Sequence, residues 1–326
     1  MRIVVAGASG VVGKVLVPAL VARGHQVLGL VRSATGASLV ARAGAEPALV
    51  DALDQSAVLK QFQLFGPVAV IHQLTALSAV TDLRDFFRDF DKSFAQTNLL
   101  RTTGTDNLLL AGRDVGVGRF VAQSFCGWPQ ARQGGPVKTE DDPIDPDPPK
   151  AFRRTLAALR YLETAVEAAG DVRGVNLRYG GFYGPGTSLS EGGEMVDQVR
   201  RRRLPIIGRG GGIWSFVHIN DVARATVAAV ESDITGTFNV VDDEPAPVAE
   251  WLPELAKAVG AKAPFRVPAF LARLILPEHL FVMMTDIRGN SNAKFKRAFN
   301  WRPEFSTWRD GFRRGLGYGD ARSAPT

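Results

Sequence analysis

Gly7-Ala8-Ser9-Gly10-Val11-Val12-Gly13 is the first stretch whose residue types and spacing could do chemistry. It follows an apolar run and leads into a helical pattern, with the spacing G-x-x-G-x-x-G. In such a loop Gly7 permits a tight turn, Gly10 lets backbone approach a phosphate, and Gly13 lets the helix pack on the strand. Ser9, Val11 and Val12 belong to the same turn, where free N–H groups and the positive end of the helix dipole would face a pyrophosphate. The expected ligand is therefore a nicotinamide dinucleotide. A second signal refines it. An acid at the end of the second apolar run would bind the ribose 2′-hydroxyl of NAD, but this chain has Arg32 with Ser33 beside it. A guanidinium matches a 2′-phosphate in charge and in fork geometry, which favours NADP(H) over NAD. A solvent-facing arginine is the alternative. Asp51-Ala52-Leu53 follows the third apolar run and would lie beside the adenine; for Asp51 a plain strand-end cap is the other reading.

The elements that must hold these residues alternate. Arg2–Ala6, Gln26–Val31, Val68–His72 and Arg119–Ala122 are short β-branched runs bounded by turns or charges and read as buried strands. Helical patterns run between them at Val12–Arg23, Ala37–Ala43, Asp54–Gln61, Ser93–Val115 and Phe152–Ala169. Strands alternating with helices imply right-handed crossovers and a doubly wound parallel sheet of the Rossmann type. Pro143–Pro149 is too proline-rich for regular structure. Val175–Arg178 adds a strand, and Ser215–His218 and Thr237–Val241 look like returns to the sheet. Trp251–Val259 and Phe270–Leu276 read as helices of a smaller C-terminal lobe. The expected layout is a dinucleotide domain, 1–178 with about 213–243, and a substrate-binding lobe, about 179–212 with 244–318. The residues 319–326 read as a flexible tail.

The chain has 326 residues, 45% of them hydrophobic, enough for a large α/β core. A single cysteine, Cys126, excludes a disulfide framework and fits a reducing compartment. No apolar stretch is long enough to span a bilayer, and the chain reads as cytoplasmic with no membrane partner. The net charge of +6 comes from scattered arginines. The cluster Arg200-Arg201-Arg202-Arg203 suits the last turn of a helix, so no nucleic-acid partner is expected.

With these residues in place the chain resembles the extended short-chain dehydrogenase/reductases, the NAD(P)-dependent epimerase/dehydratase family. The likeness runs over nearly the whole length. It rests on the glycine loop, Asp51-Ala52-Leu53, Asn98 with Gly104-Thr105-Asp106-Asn107-Leu108-Leu109, and Tyr183-Gly184-Pro185-Gly186. Trp214–Ala223 and Gly236–Val241 extend it. The resemblance implies a Ser/Thr pair after the fifth strand and a Tyr-x-x-x-Lys on the next long helix, the tyrosine serving as general acid/base and the lysine lowering its pKa. Here the strand reads Ser124-Phe125-Cys126-Gly127-Trp128. In register, Phe152 stands at the tyrosine and Leu156 at the lysine. Phenylalanine transfers no proton, and leucine holds no ribose.

Other groups are candidates for the missing proton. Ser124 could touch substrate or cap its strand. Lys138 could fold over the site or pair on the surface with Glu140 or Asp141. Tyr183 could face the nicotinamide or pack in its turn. Phe125, Trp128, Phe152 and Tyr179 would line an apolar substrate pocket. His218 is a weaker candidate, and Tyr161 lies too far along its helix. No metal-ligand spacing links the four histidines with Cys126 or acids, so no metal is expected. No serine-hydrolase elbow and no P-loop occurs. The expected function is an NADP(H)-dependent oxidoreductase for a small carbonyl or hydroxyl compound, with a non-standard proton donor. The alternatives are a sugar-nucleotide-type epimerase or dehydratase and a non-catalytic NADP sensor. The resemblance also implies a possible homodimer through the long helices, with Leu156, Leu159, Leu162 and Val166 as the stripe. The same residues could instead face the sheet.

Overall fold

Apolar β-branched runs buried on both faces pair best as parallel strands covered by helices. The computed structural model, which describes residues 1–77 and 89–317, is built that way. In chain order the strands are β1 Arg2–Ala6, β2 Gln26–Val31, β3 Glu46–Leu49, β4 Ala69–His72, β5 Arg119–Phe125, β6 Val137–Lys138, β7 Arg173–Tyr179 and β8 Gly181–Tyr183. They continue with β9 Ile206–Ile207, β10 Ile213–Trp214, β11 Phe216–His218, β12 Gly236–Val240, β13 Ala246–Pro247, β14 Arg266–Val267 and β15 Gly289–Asn290. Seven of these form one sheet in the order β12-β7-β5-β4-β1-β2-β3, parallel at every pairing. The order turns back at β1, so the crevice between the ends of β1 and β4 is the switch point where such sheets hold ligands.

One face of the sheet packs Leu16 and Leu20 of the helix Val11–Ala22 and Val222 and Ala225 of the helix Ile219–Val230. The other packs Phe62 of Gln55–Phe65, Leu108 of Thr103–Asp114, and Leu162 and Val166 of Arg153–Glu167. The helix starts are locally encoded. Ser33, Asp54 and Asp89 each accept a bond from the backbone three residues on, which satisfies one of the free amides of a first turn. A second core around Trp251, Trp308, Phe216 and Phe312 forms under the C-terminal segments. It is stitched by short pairs, among them β8 with β11 and β9 with β14.

Three expectations are corrected. Ser93–Val115 is two helices, Phe90–Arg101 and Thr103–Asp114. The chain breaks at Thr102 (φ −101°, ψ −87°), whose hydroxyl turns back to the Asn98 carbonyl at 3.0 Å. The stretch Ser215–His218 returns not to the main sheet but to β8, as β11. The helix expected from Phe152 begins at Arg153, after a 3₁₀ turn Lys150–Phe152 set by Pro149. The tail 319–326 lies outside the described residues.

Candidate cofactor and active site

β1 ends at Ala6, and the chain turns at Gly7 with φ +91°, a conformation that L side chains avoid. A Cβ there would also stand 2.7 Å from the Gln73 carbonyl oxygen at the end of β4. The Gly10 amide closes the turn on the Gly7 carbonyl at 3.0 Å. The first intrahelical bond runs from Lys14 to Gly10, also at 3.0 Å. The amides of Val11, Val12 and Gly13 precede it and have no helical acceptor. Gly10 offers no capping side chain, and the first turn holds no acid. A Cβ on Gly13 would overlap the Ala8 carbonyl, so strand and helix close up only with glycine. The cradle is open toward solvent and free of competing negative charge, which fits a pyrophosphate.

On the adenosine side Arg32 is exposed and has no ion pair among the described residues. Ser33 caps the helix Ala34–Arg42, its Oγ accepting from the Gly36 amide at 3.1 Å. A Cβ on Gly36 would lie 3.0 Å from Ser9 Oγ and 3.2 Å from Ser33 Oγ, so the two hydroxyls meet over that glycine. Ser9 and Ser33 thus meet at one place, with the exposed Arg32 next to Ser33 in the chain. Asp51 Oδ1 accepts from the Leu53 amide at 3.0 Å, and Asn107 Nδ2 donates to the Ala52 carbonyl at 2.9 Å. The Asp51-Ala52-Leu53 bend is therefore held from within, with Asp51 serving its own turn as well as facing solvent.

Where the resemblance implies a proton donor, the chain builds an aromatic row. Trp128 lies 4.4 Å from Phe152, Phe90 lies 4.9 Å from Phe152 and 5.8 Å from Trp128, and Phe125 lies 5.9 Å from Trp128. Phe94 stacks on Phe90 at 4.3 Å, Leu156, Leu159, Val282 and Ile287 pack around them, and the buried His279 ring lies 5.6 Å from Phe90 and 5.8 Å from Phe152. Phe125, Trp128 and Phe152 come together as expected. Phe90 and Phe94 join them from the helix Phe90–Arg101, where neither ring was singled out in the sequence; their i, i+4 spacing puts them on one helix face.

The proposed donors are placed differently. Ser124 is 1% exposed and donates to Glu163 Oε1 at 2.6 Å. The same carboxylate is gripped by Arg178, Nε to Oε1 at 2.8 Å and Nη2 to Oε2 at 2.7 Å. Ser124 opposes Arg178 in the β5–β7 register, so the hydroxyl belongs to a buried ion pair rather than to a substrate contact. Lys138 donates to the Gln133 carbonyl at 2.6 Å and to Asp142 at 3.1 Å on β6, which pairs with β15. Its acid is Asp142, not Glu140 or Asp141. Glu140 instead accepts from the Asn239 amide at 2.7 Å. Tyr183 is fully buried in the second core, 5.2 Å from His218 and 5.5 Å from Phe312. Burial first, and Asp242 next, push its phenol far up, so it holds its proton. Tyr179 faces the opposite side of the sheet from the row. It shares a bond with Thr226 at 2.7 Å and accepts one from Gln73 at 3.3 Å, with burial raising its pKa to about 12. Neither tyrosine lines the aromatic row.

His218 caps its helix through Nδ1 and meets the Gly315 carbonyl through Nε2 at 3.0 Å, which accounts for it structurally. Tyr161 donates to Asp106 at 2.7 Å between two helices. The stripe Leu156, Leu159, Leu162 and Val166 is buried within the chain and faces inward. Among the described residues no group of three or more histidine, cysteine, aspartate or glutamate side chains could hold a metal ion, and no helix is long and apolar enough to cross a membrane. The groups that sequence reasoning missed are Glu163, Arg178 and Arg101, together with Thr155, which accepts from Asn98 at 3.2 Å. Glu163 and Arg101 could have been found as charges on otherwise apolar helical stripes.

A glycine cradle at the switch point of a seven-stranded parallel sheet, with a covered site beside β5, defines an extended short-chain oxidoreductase. The chain belongs to the NAD dependent epimerase/dehydratase family, whose model matches residues 3–240. It is 44% identical over 315 residues to a 3-diazoavenalumate denitrifying reductase from a Streptomyces species, covering 96% of this chain and 100% of that one. It is 30% identical over 295 residues to a 2-alkyl-3-oxoalkanoate reductase from Stenotrophomonas maltophilia, covering 84% of this chain and 83% of that one. Among solved structures it is similar to a Thermus thermophilus UDP-glucose 4-epimerase complexed with NAD. There the TM-score is 0.70 and the identity 29%, over 96% of this chain and 97% of that one.

Proposed function

We propose that this chain is an NADP(H)-dependent reductase of an aryl diazo compound, releasing dinitrogen. The observation that carries the reading is the aromatic row. Phe152 and Leu156 occupy the acid/base positions of the family pattern, and Ser124, Lys138 and Tyr183 are each engaged elsewhere. Reducing a carbonyl consumes a hydride and a proton, so it needs a positioned donor, whose loss costs about 10²–10⁴-fold. An aryl diazonium needs none. With the hydride that the reduced nicotinamide supplies, the step balances as aryl-N₂⁺ plus hydride to aryl-H plus N₂: the carbon–nitrogen bond breaks, a carbon–hydrogen bond forms, and no further proton is consumed.

The residues suit that acceptor. The row makes this region aromatic and apolar, and a ring face attracts a planar cation, each such contact contributing about 0.5–2 kcal/mol. The row also keeps water from a reactive diazo carbon. Support for NADP comes from Arg32 with Ser9 and Ser33, a set that can bind a 2′-phosphate and leaves a bare ribose hydroxyl without an acid. The similarity to the Streptomyces denitrifying reductase supports the diazo group as acceptor. The test is NADPH oxidation with a panel of aryl diazonium salts and ketones under one set of conditions. Turnover confined to the diazonium salts is expected; turnover confined to ketones would sink the reading.

A further inference from the structure

One helix of the C-terminal lobe is turned inside out. Ala269–Ile275 starts after Pro268 and is stopped before Pro277, and the residue it buries against the body is Ala272, which meets Ile207 and Phe281. Its large apolar side chains point away: Phe270 is 69% exposed, Leu271 45%, Leu274 81% and Ile275 76%. Phe265, also exposed, stands just before β14. A folded chain ordinarily turns such residues inward, since burying each of them is favourable. A contiguous apolar set left in water marks a surface that something covers.

The charges around it have one sign. From Lys257 to Pro277 the chain carries Lys257, Lys262, Arg266 and Arg273 and no acid; Glu278 follows. From Gln198 to Asn220 it carries Arg200-Arg201-Arg202-Arg203 and Arg209, again with no acid. Only Arg200 lies in the helix Glu194–Arg200, so a helix end does not account for the other three. The fold joins the two stretches. β9 pairs in parallel with β14, Ile206 beside Arg266, so the arginines leading into β9 run beside Lys262 and Phe265, which lead into β14. Arg200 Nε reaches the Val259 carbonyl at 3.4 Å. At the other end a Cβ on Gly208 would stand 3.1 Å from the Ala269 Cβ, which sets Arg209 beside the start of the helix. Arg201, Arg209, Lys262 and Arg273 are exposed and have no ion pair among the described residues.

We propose that this face rests on an anionic lipid surface, the tips Phe270, Leu274 and Ile275 entering the apolar boundary and the cations around them meeting lipid phosphates. A short apolar helix rimmed by lysine and arginine has the composition of a segment that lies in a bilayer interface, a peripheral seat rather than a span. A second copy of the chain fits poorly, because a twofold contact would set these cations against their own likeness. An acidic protein would match the charge. Leu274 and Ile275, however, stand out as adjacent tips at the helix end, and a fluid surface accepts such tips without the matching pocket that a protein partner must supply. None of these side chains belongs to the cradle or the aromatic row, so the inference is independent of the reductase reading.

Vesicle co-sedimentation tests it. At about 0.1 M salt the protein should bind phosphatidylcholine vesicles containing about 30% phosphatidylglycerol at least tenfold more tightly than phosphatidylcholine alone, and about 0.5 M salt should remove most of the difference. Leu274→Ser with Ile275→Ser should lower affinity for the anionic vesicles about tenfold, and Arg201→Glu with Arg209→Glu should abolish the preference for them. These side chains are exposed, so an unchanged melting temperature and unchanged NADPH binding are expected and show that the variants are folded. Depth is read separately. Cys126 is buried, so Leu274→Cys offers a single exposed thiol, and a polarity-sensitive dye on it should shift blue on anionic vesicles. No binding to anionic vesicles, equal binding to both kinds, or an unshifted dye would sink the proposal. Binding of poly-glutamate with none of vesicles would hand the face to an acidic protein. A dimer dissolved by Leu274→Ser with Ile275→Ser, again without vesicle binding, would hand it to a second copy; either result overturns the lipid surface.

Discussion

Arg32 is exposed and unpaired among the described residues, so its removal leaves no buried charge behind and reads out on the cofactor alone. Arg32→Ala should weaken NADPH by about tenfold or more, the worth of a lost bidentate phosphate contact, and hardly change NADH. Fluorescence titration of both cofactors checks this, and equal losses would remove NADP as the assignment. Glu163 is the opposite case. Glu163→Gln leaves the Arg178 guanidinium in the core without its carboxylate, and loss of one partner of a buried pair costs about 3–5 kcal/mol. Denaturant unfolding should show that drop; a change under about 1 kcal/mol would mean that the buried network is not strongly coupled. These two residues also show what was legible at this scale. Arg32 lies just past the end of β2 and is exposed, a placement that the strand alone dictates. Ser124 could not be read so, because the partner that claims its hydroxyl lies 39 residues away on a helix packed by the whole sheet.

Elements were legible where the encoding is local. The glycine loop was read correctly because Gly7 and Gly13 are dictated by one strand end and one helix start. Gly13→Ala would force the helix Val11–Ala22 off the Ala8 carbonyl, and both cofactor affinity and melting temperature should fall together; a normal affinity would contradict the close packing assigned to it. The break at Thr102 was missed since Thr-Thr-Gly is compatible with either a continuous or an interrupted helix; the structure shows the break, with the Thr102 hydroxyl turned back on the Asn98 carbonyl. The helix Arg153–Glu167 bears on the mechanism. Phe152 and Leu156 are 0% and 3% exposed inside the row. Restoring the family pair with Phe152→Tyr and Leu156→Lys would bury an ammonium among rings. The double variant should melt well below the unaltered protein and gain no ketone reduction, as thermal melts and NADPH oxidation would show. A gain of ketone turnover would mean that the row is a silenced carbonyl site instead.

At the scale of the whole molecule, the alternation of strands and helices was enough to place the sheet, because a parallel order needs crossovers and crossovers have one hand. The second core was not legible in detail. β11 pairs with β8 beside a core of Trp251, Trp308 and Phe216 whose members come from segments far apart in the sequence. Folding also ties the molecule to pH through His72, buried at the end of β4. Its ring meets the Leu100 carbonyl at 3.2 Å and Thr105 at 3.1 Å. Burial lowers its pKa to about 4, so between the ordinary value near 6.5 and about 4 the unfolded chain binds a proton that the folded chain refuses. Stability should therefore fall as pH drops through that window, by up to about 3 kcal/mol from this residue. A His72→Gln variant should flatten the slope in denaturant titrations across that range, and an unchanged slope would assign the proton elsewhere. Cradle, row and acceptor are tested together by measuring dinitrogen released against NADPH consumed with an aryl diazonium salt. Equimolar release is expected; NADPH consumption with a ketone and no dinitrogen from the diazonium salt would overturn the reductase reading.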